Sequence, residues 1–145
     1  MKQLSKIVIL TFSLMVFFHY GNTPENQATE QTSKNRIEVI DFHSTHRCGT
    51  CNAIESNTLH TLETYFKEEM KSGKITFESV NIDLKKNKEK ARKFQASGTS
   101  LFLNVIIDGK ETIIDLTSFA FTCGRNQKEF SKDLREKLEV ELKKL

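Results

Sequence analysis

Cys48 and Cys51 stand three positions apart in the stretch DFHSTHRCGTCNAIE (41–55), with His43, His46 and Arg47 just upstream. Three chemistries fit that spacing. The pair can open and close a disulfide, supply half of a tetrahedral metal site, or serve as a plain structural cross-link. Cys123, the third cysteine, completes a four-ligand set with the pair and a histidine such as His46, for zinc or copper. No ligand spacing singles that set out, so no metal ligand is assigned.

The choice depends on the elements that hold the pair. RIEVIDFHS (36–44) is a β-branched and aromatic run of strand length. From 52 to 71, Ile54, Leu59, Leu62, Tyr65, Phe66 and Met70 form one apolar stripe, predicting a single helix of about five turns closed by Gly73. KITFESVNID (74–83) alternates as a second strand, and 85–95 is a short basic helix burying Ala91 and Phe94. SLFLNVII (100–107), the turn at Asp108-Gly109 and TIIDL (112–116) predict a hairpin. Asn126 and Glu129 are a capping pair for a last helix with Phe130, Leu134, Leu138, Leu142 and Leu145 on one face. The order is β-α-β-α-β-β-α, with the first two strands parallel.

Cys48 and Cys51 therefore fall between the first strand and the long helix. Free N–H groups and the positive helix end favour an anion there, and Arg47 and His46 add charge that would lower a thiol pKa. Cys51 lies a turn in, ahead of core-facing Ile54, so Cys48 is the more exposed. Cys48 is then the expected nucleophile and Cys51 the resolving thiol. A stabilising disulfide would more usefully close a long loop, which counts against the structural reading.

IEVIDFHSTHRCGTC, ARKFQASGTSL and VIIDGKE together resemble the strand, C-x-x-C, later helix and hairpin of thioredoxins, over residues 36–145. The RCGTC-x-x-IE flavour is similar to small exported bacterial thioredoxin-like proteins labelled nitrophenyl compound nitroreductase subunit. That label's activity would need a flavin, and the chain shows no flavin motif. The resemblance implies an α/β thioredoxin-like fold, a central mixed sheet flanked by helices, and a redox-active disulfide in place of a bound cofactor. It implies protein thiols or disulfides, or a redox partner protein, as partners. Asp41 takes the place of the buried acid that relays protons to the resolving cysteine, although it stands one residue further from Cys48 than usual. Thr99 and Ser100 take the place of the substrate loop. Thioredoxins carry a cis-proline there, whereas Pro24 is the chain's single proline. Gly49-Thr50 also replaces the usual Gly-Pro between the cysteines.

The resemblance also implies that the end of the last strand returns to the C-x-x-C face, which would bring FAFTCGR (119–125) beside Cys48. Cys123 is then a third redox thiol, a metal ligand or a small buried hydrophobe. His43 reads as structural and His60 as solvated. Two readings stay beside thiol–disulfide exchange: metal binding or delivery through Cys48, Cys51 and Cys123 or His46, and a non-catalytic interaction module with a structural disulfide.

The 145 residues suffice for one domain, and 37% hydrophobic against 28% charged residues describes an ordinary globular chain. Lys2 and Lys6 precede the charge-free apolar run Ile7–Phe18, the layout of a secretory signal, so 1–21 is expected to be a signal peptide or an N-terminal anchor. Polar residues 22–35 are expected to be a flexible leader. An exported, periplasmic or extracytoplasmic protein follows, touching membrane only through an uncleaved segment. Without residues 1–21 the net charge falls from +3 to near +1, which gives no basis for nucleic-acid binding.

Overall fold

The computed structural model describes residues 34–145. The expected export segment and the leader as far as residue 33 lie outside the described residues. No described helix is long and apolar enough to cross a membrane.

Strand β1 (Arg36–His43) is the centre of the sheet, and its alternation supplies two cores. Ile37 and Val39 face one side and Ile40 and Phe42 the other, all fully buried. β1 pairs in parallel with β2 (Ile75–Asn81) and antiparallel with β3 (Ser100–Ile107), which pairs antiparallel with β4 (Lys110–Asp115). The strand order is β2-β1-β3-β4. The register sets His43 opposite Asn81 and Phe42 opposite Ser100. The end of β1, the end of β2 and the start of β3 thus share one edge of the molecule.

Helices α1 (Gly49–Tyr65), α4 (Thr117–Cys123) and α5 (Gln127–Leu142) cover one face and close the larger core. On the other face, α3 (Lys88–Lys93) follows a 3₁₀ turn and adds Ala91 and Phe94 to the smaller core. Phe42, Phe94 and Phe102 meet there with ring centroids 5.4–5.8 Å apart, at the tilted and edge-on angles aromatic rings prefer. This is the expected thioredoxin-like α/β fold, a mixed sheet between helices. Asp108 (φ 50°) and Gly109 (φ 79°) make the β3–β4 turn, both in the left-handed region a two-residue hairpin requires. Asn126 and Glu129 cap α5 as expected: the Asn126 side chain accepts the Glu129 N–H and donates to its carboxylate.

Two elements differ from the sequence expectation. The long helix breaks at Phe66, whose φ of −129° ends α1 before α2 (Lys67–Lys71) begins. The break turns Phe66 into the core and leaves Tyr65 outside, beneath the Arg135 guanidinium at 4.8 Å. The buried side of α1 is also partly polar. Thr58 and Thr61 donate to carbonyls one turn back, and Thr61 joins the Ser131 hydroxyl of α5 at 2.9 Å. The second difference is α4, an additional helix over residues assigned no element from the sequence. Asp115 Oδ1 accepts the Thr117 N–H at 2.8 Å, satisfying a first-turn donor, and the helix rolls Ala120 and Cys123 into the core.

The turn after α4 presses against α1. A Cβ on Gly124 would stand 2.5 Å from the Ala120 carbonyl oxygen and 3.0 Å from Ile54 Cγ1, whereas one on Gly98 would meet nothing within 4 Å. Gly124→Ala is therefore expected to cost about 1–3 kcal/mol in chemical denaturation, and Gly98→Ala less than about 0.5 kcal/mol.

Candidate active site

Loop 44–48 carries the chain from the end of β1 to the start of α1, and its path is fixed by hydrogen bonds. The Thr45 N–H donates to Asp83 Oδ2 at 2.7 Å, and Asn81 Nδ2 donates to Thr45 Oγ1 at 3.1 Å. Cys48 then caps α1 in extended conformation, its Sγ accepting the Cys51 N–H at 3.1 Å. The first turn of α1 holds no acid that would neutralise the positive helix end.

Cys48 and Cys51 form a disulfide with their Cα atoms 5.0 Å apart. The two sulfurs differ in access: Cys48 is exposed and Cys51 is 8% exposed. That asymmetry matches the one inferred from the spacing. An incoming thiol or disulfide reaches Cys48 first, with Cys51 behind it.

Asp41 lies on the α1 side of β1 and is fully buried. Its Oδ2 accepts from Arg47 Nη2 at 3.1 Å, and its Oδ1 has no partner. The other end of the guanidinium engages Glu55 on α1, and Nη2 also reaches the Cys51 carbonyl at 3.3 Å. Arg47 is therefore turned inward between two carboxylates. Its charge is shared with Asp41 and Glu55, and the tuning of Cys48 expected from it is correspondingly weaker.

Burial pushes the Asp41 carboxyl up to about 7, against the opposing charge and hydrogen bond of Arg47 and with the nearby Glu55 charge adding to the rise. For Glu55 burial also raises the pKa, but hydrogen bonds from Ser79 and Arg47 outweigh it and hold the group below its ordinary value. Two carboxyls on one guanidinium thus divide into a proton-holding Asp41 and an ionised Glu55 near neutral pH.

The remaining expected residues are scattered by comparison. His46 is exposed in the loop, and His43 is half-buried with Nδ1 2.9 Å from the Ser44 carbonyl. Ser100 opens β3, buried beside Phe42, and donates to the Gly98 carbonyl at 3.2 Å, with Thr99 half-buried before it. Peptide bonds among the described residues are all trans. Cys123 is a free thiol in the larger core, and burial pushes its pKa up, so it remains protonated. The four-ligand set of Cys48, Cys51, Cys123 and a histidine is not brought together: α4 points Cys123 into the core, and the pair is closed on itself. Among the described residues no three His, Cys, Asp or Glu side chains form a metal-sized group.

Glu55 and Arg125 escaped the sequence reading. Arg125, in the turn after α4, donates from Nε to Thr50 Oγ1 at 2.9 Å, inside the C-x-x-C. Glu55 follows Cys51 by one helical turn, a spacing that places it over the same end of β1.

No family model matches the chain, and no curated protein does. Among solved structures it is similar to a thioredoxin of Fasciola hepatica, at 23% identity over 74% of this chain and 83% of that one, with a TM-score of 0.46. It is also similar to mitochondrial thioredoxin 3 of Saccharomyces cerevisiae, at 21% identity over 63% of this chain and 77% of that one, with a TM-score of 0.41. Those likenesses stand as observations, and the fold is carried by the strand order and connections above.

The Asp41 environment has a measurable consequence. An unfolded Asp loses its proton near pH 4, whereas the folded one keeps it until about pH 7. Between those values the folded state binds more protons, so this residue's contribution to stability falls as pH rises. Asp41→Asn is expected to be more stable than wild type at pH 8, on the order of 2 kcal/mol, with the gap closing toward pH 4. Urea denaturation of both proteins across that range checks the sign.

Proposed function

We propose that this protein performs thiol–disulfide exchange on protein or peptide substrates. The observation that carries the reading is the asymmetric pair: an exposed sulfur at the cap of α1 bonded to a buried one, above a buried carboxyl that titrates near neutrality. In the reduced protein the Cys48 thiolate attacks a substrate disulfide. One substrate sulfur leaves with the bond's electron pair and takes a proton, and the other stays bonded to Cys48. Cys51 then loses its proton and attacks Cys48 Sγ, which expels the second substrate thiol. The substrate gains two electrons and the protein pair loses them. Run backward, the same steps oxidise a substrate dithiol.

Asp41 is suited to the proton step. It is one hydrogen-bonded residue away from the Cys51 backbone, through Arg47, and its raised pKa lets it hold or release a proton at neutral pH. The Lys2–Phe18 pattern supports an exported setting, where such exchange acts on cysteines of other exported proteins. The similarity to exported bacterial thioredoxin-like proteins points the same way. That resemblance supports thiol chemistry and not nitro-group reduction.

Single-cysteine variants test the roles. Cys51→Ser is expected to accumulate a mixed disulfide at Cys48 with a disulfide substrate, because nothing remains to release it. Cys48→Ser is expected to lose attack altogether, and Cys123→Ser to keep insulin reduction near the wild-type rate. Mass spectrometry for a trapped adduct reads the first two, and the rate of insulin precipitation on reduction reads the third. A stable adduct at Cys51 in Cys48→Ser would reverse the assignment.

A further inference from the structure

Arg125 is fixed beside the cysteine pair from two sides. Asn57 Nδ2 holds the Gly124 carbonyl at 2.9 Å, and Gly124 itself is wedged against Ile54 and Thr50. From that anchor Arg125 Nε donates to Thr50 Oγ1 at 2.9 Å, and Nη2 lies 3.6 Å from where a Gly49 Cβ would stand. The guanidinium therefore runs along the two residues between Cys48 and Cys51. Thr50 occupies one of its five N–H donors, and the residue is exposed. Among the described residues no carboxylate pairs with it. The contrast with Arg47 is direct, since that guanidinium is half-buried and paired with both Asp41 and Glu55.

A substrate whose sulfur approaches exposed Cys48 must lay its flanking residues close to Gly49 and Thr50. Gly49 has no side chain to shield the guanidinium on that path. We propose that Arg125 is a specificity residue, selecting peptide or protein substrates that carry an acidic side chain next to the cysteine Cys48 attacks. The fork of remaining N–H donors suits a carboxylate, and the charge acts on encounter as well as on the bound complex. This inference rests on the exchange reading above and adds a substrate class to it.

The test uses full-length protein, reduced with dithiothreitol and then freed of it. It reacts in single turnover with cysteine peptides activated as neutral 2-pyridyl disulfides. The peptides differ only in the residue flanking cysteine, which is Glu, Gln or Lys. Cys48 bonds to the peptide sulfur, thiopyridone leaves with the electron pair, and Cys51 releases the peptide thiol. Wild type is expected to prefer the Glu peptide over the Gln peptide by about two- to fivefold at low salt, with the preference collapsing at high salt. R125Q should bring the Glu-to-Gln ratio to one, and R125E should favour the Lys peptide. A misfolded variant would slow all three peptides together, so the ratio isolates the charge. Equal wild-type rates on all peptides, or an unchanged ratio in R125Q and R125E, would overturn the role of Arg125 alone. Absence of reaction with every peptide would overturn the exchange reading beneath it.

Discussion

A carboxyl buried without solvent must either find a cation or keep its proton, and Asp41 does part of each. Arg47 is its ion-pair partner, and it reaches Asp41 only because the loop after β1 folds back over the strand end. That fold-back delivers Cys48 to the cap of α1. Glu55 then competes for the same guanidinium from α1, so strand, loop and helix are tied through one side chain. Compensation is incomplete: Asp41 Oδ1 and Arg47 Nε are left without partners, and burial still pushes the Asp41 pKa well above its ordinary value. A site built for stability alone would gain from an apolar residue in that place. Under the proposed exchange, that carboxyl stands one hydrogen-bonded residue from the Cys51 backbone and can hold or release a proton near neutral pH.

The two arginines near the cysteines divide the electrostatics between inside and outside. Arg47 is shared between buried Asp41 and half-buried Glu55, so its field is largely cancelled within the protein. Arg125 is presented outward along the Gly49-Thr50 peptide, with Thr50 as its protein partner. The helix end supplies a further positive influence that no acid in the first turn offsets. Attack at Cys48 and recognition around it thus draw on different groups, and a change at Arg125 need not disturb the proton-holding pair below.

Much of this was legible in the sequence where local signals agree. The run SLFLNVII forms β3 over the expected residues, because a strand buried on both faces is mostly apolar. The Asp108-Gly109 turn, the Asn126 cap and burial of Ala91 and Phe94 follow from equally local chemistry. What escaped depends on contacts distant in the chain. The seven residues of α4 are too few to show a helical period, and the Asp115 side chain that starts the helix lies in the strand before it. Tyr65, Phe66 and Met70 read as one stripe until tertiary packing chose Phe66 and broke the helix. The pairing of Arg47 with Asp41 escaped because nothing in its own segment shows that Asp41 comes within reach. Glu55 and Arg125 escaped for the same reason.

The central claim is that the Cys48–Cys51 bond opens and closes within an intact fold. Equilibration in glutathione redox buffers of graded poise, with alkylation mapped by mass spectrometry and far-ultraviolet circular dichroism followed in parallel, tests it directly. The account predicts one reversible two-electron transition confined to Cys48 and Cys51, with Cys123 unreactive and the fold unchanged across it. A pair that stays oxidised until the protein unfolds would mark a structural cross-link and contradict the account.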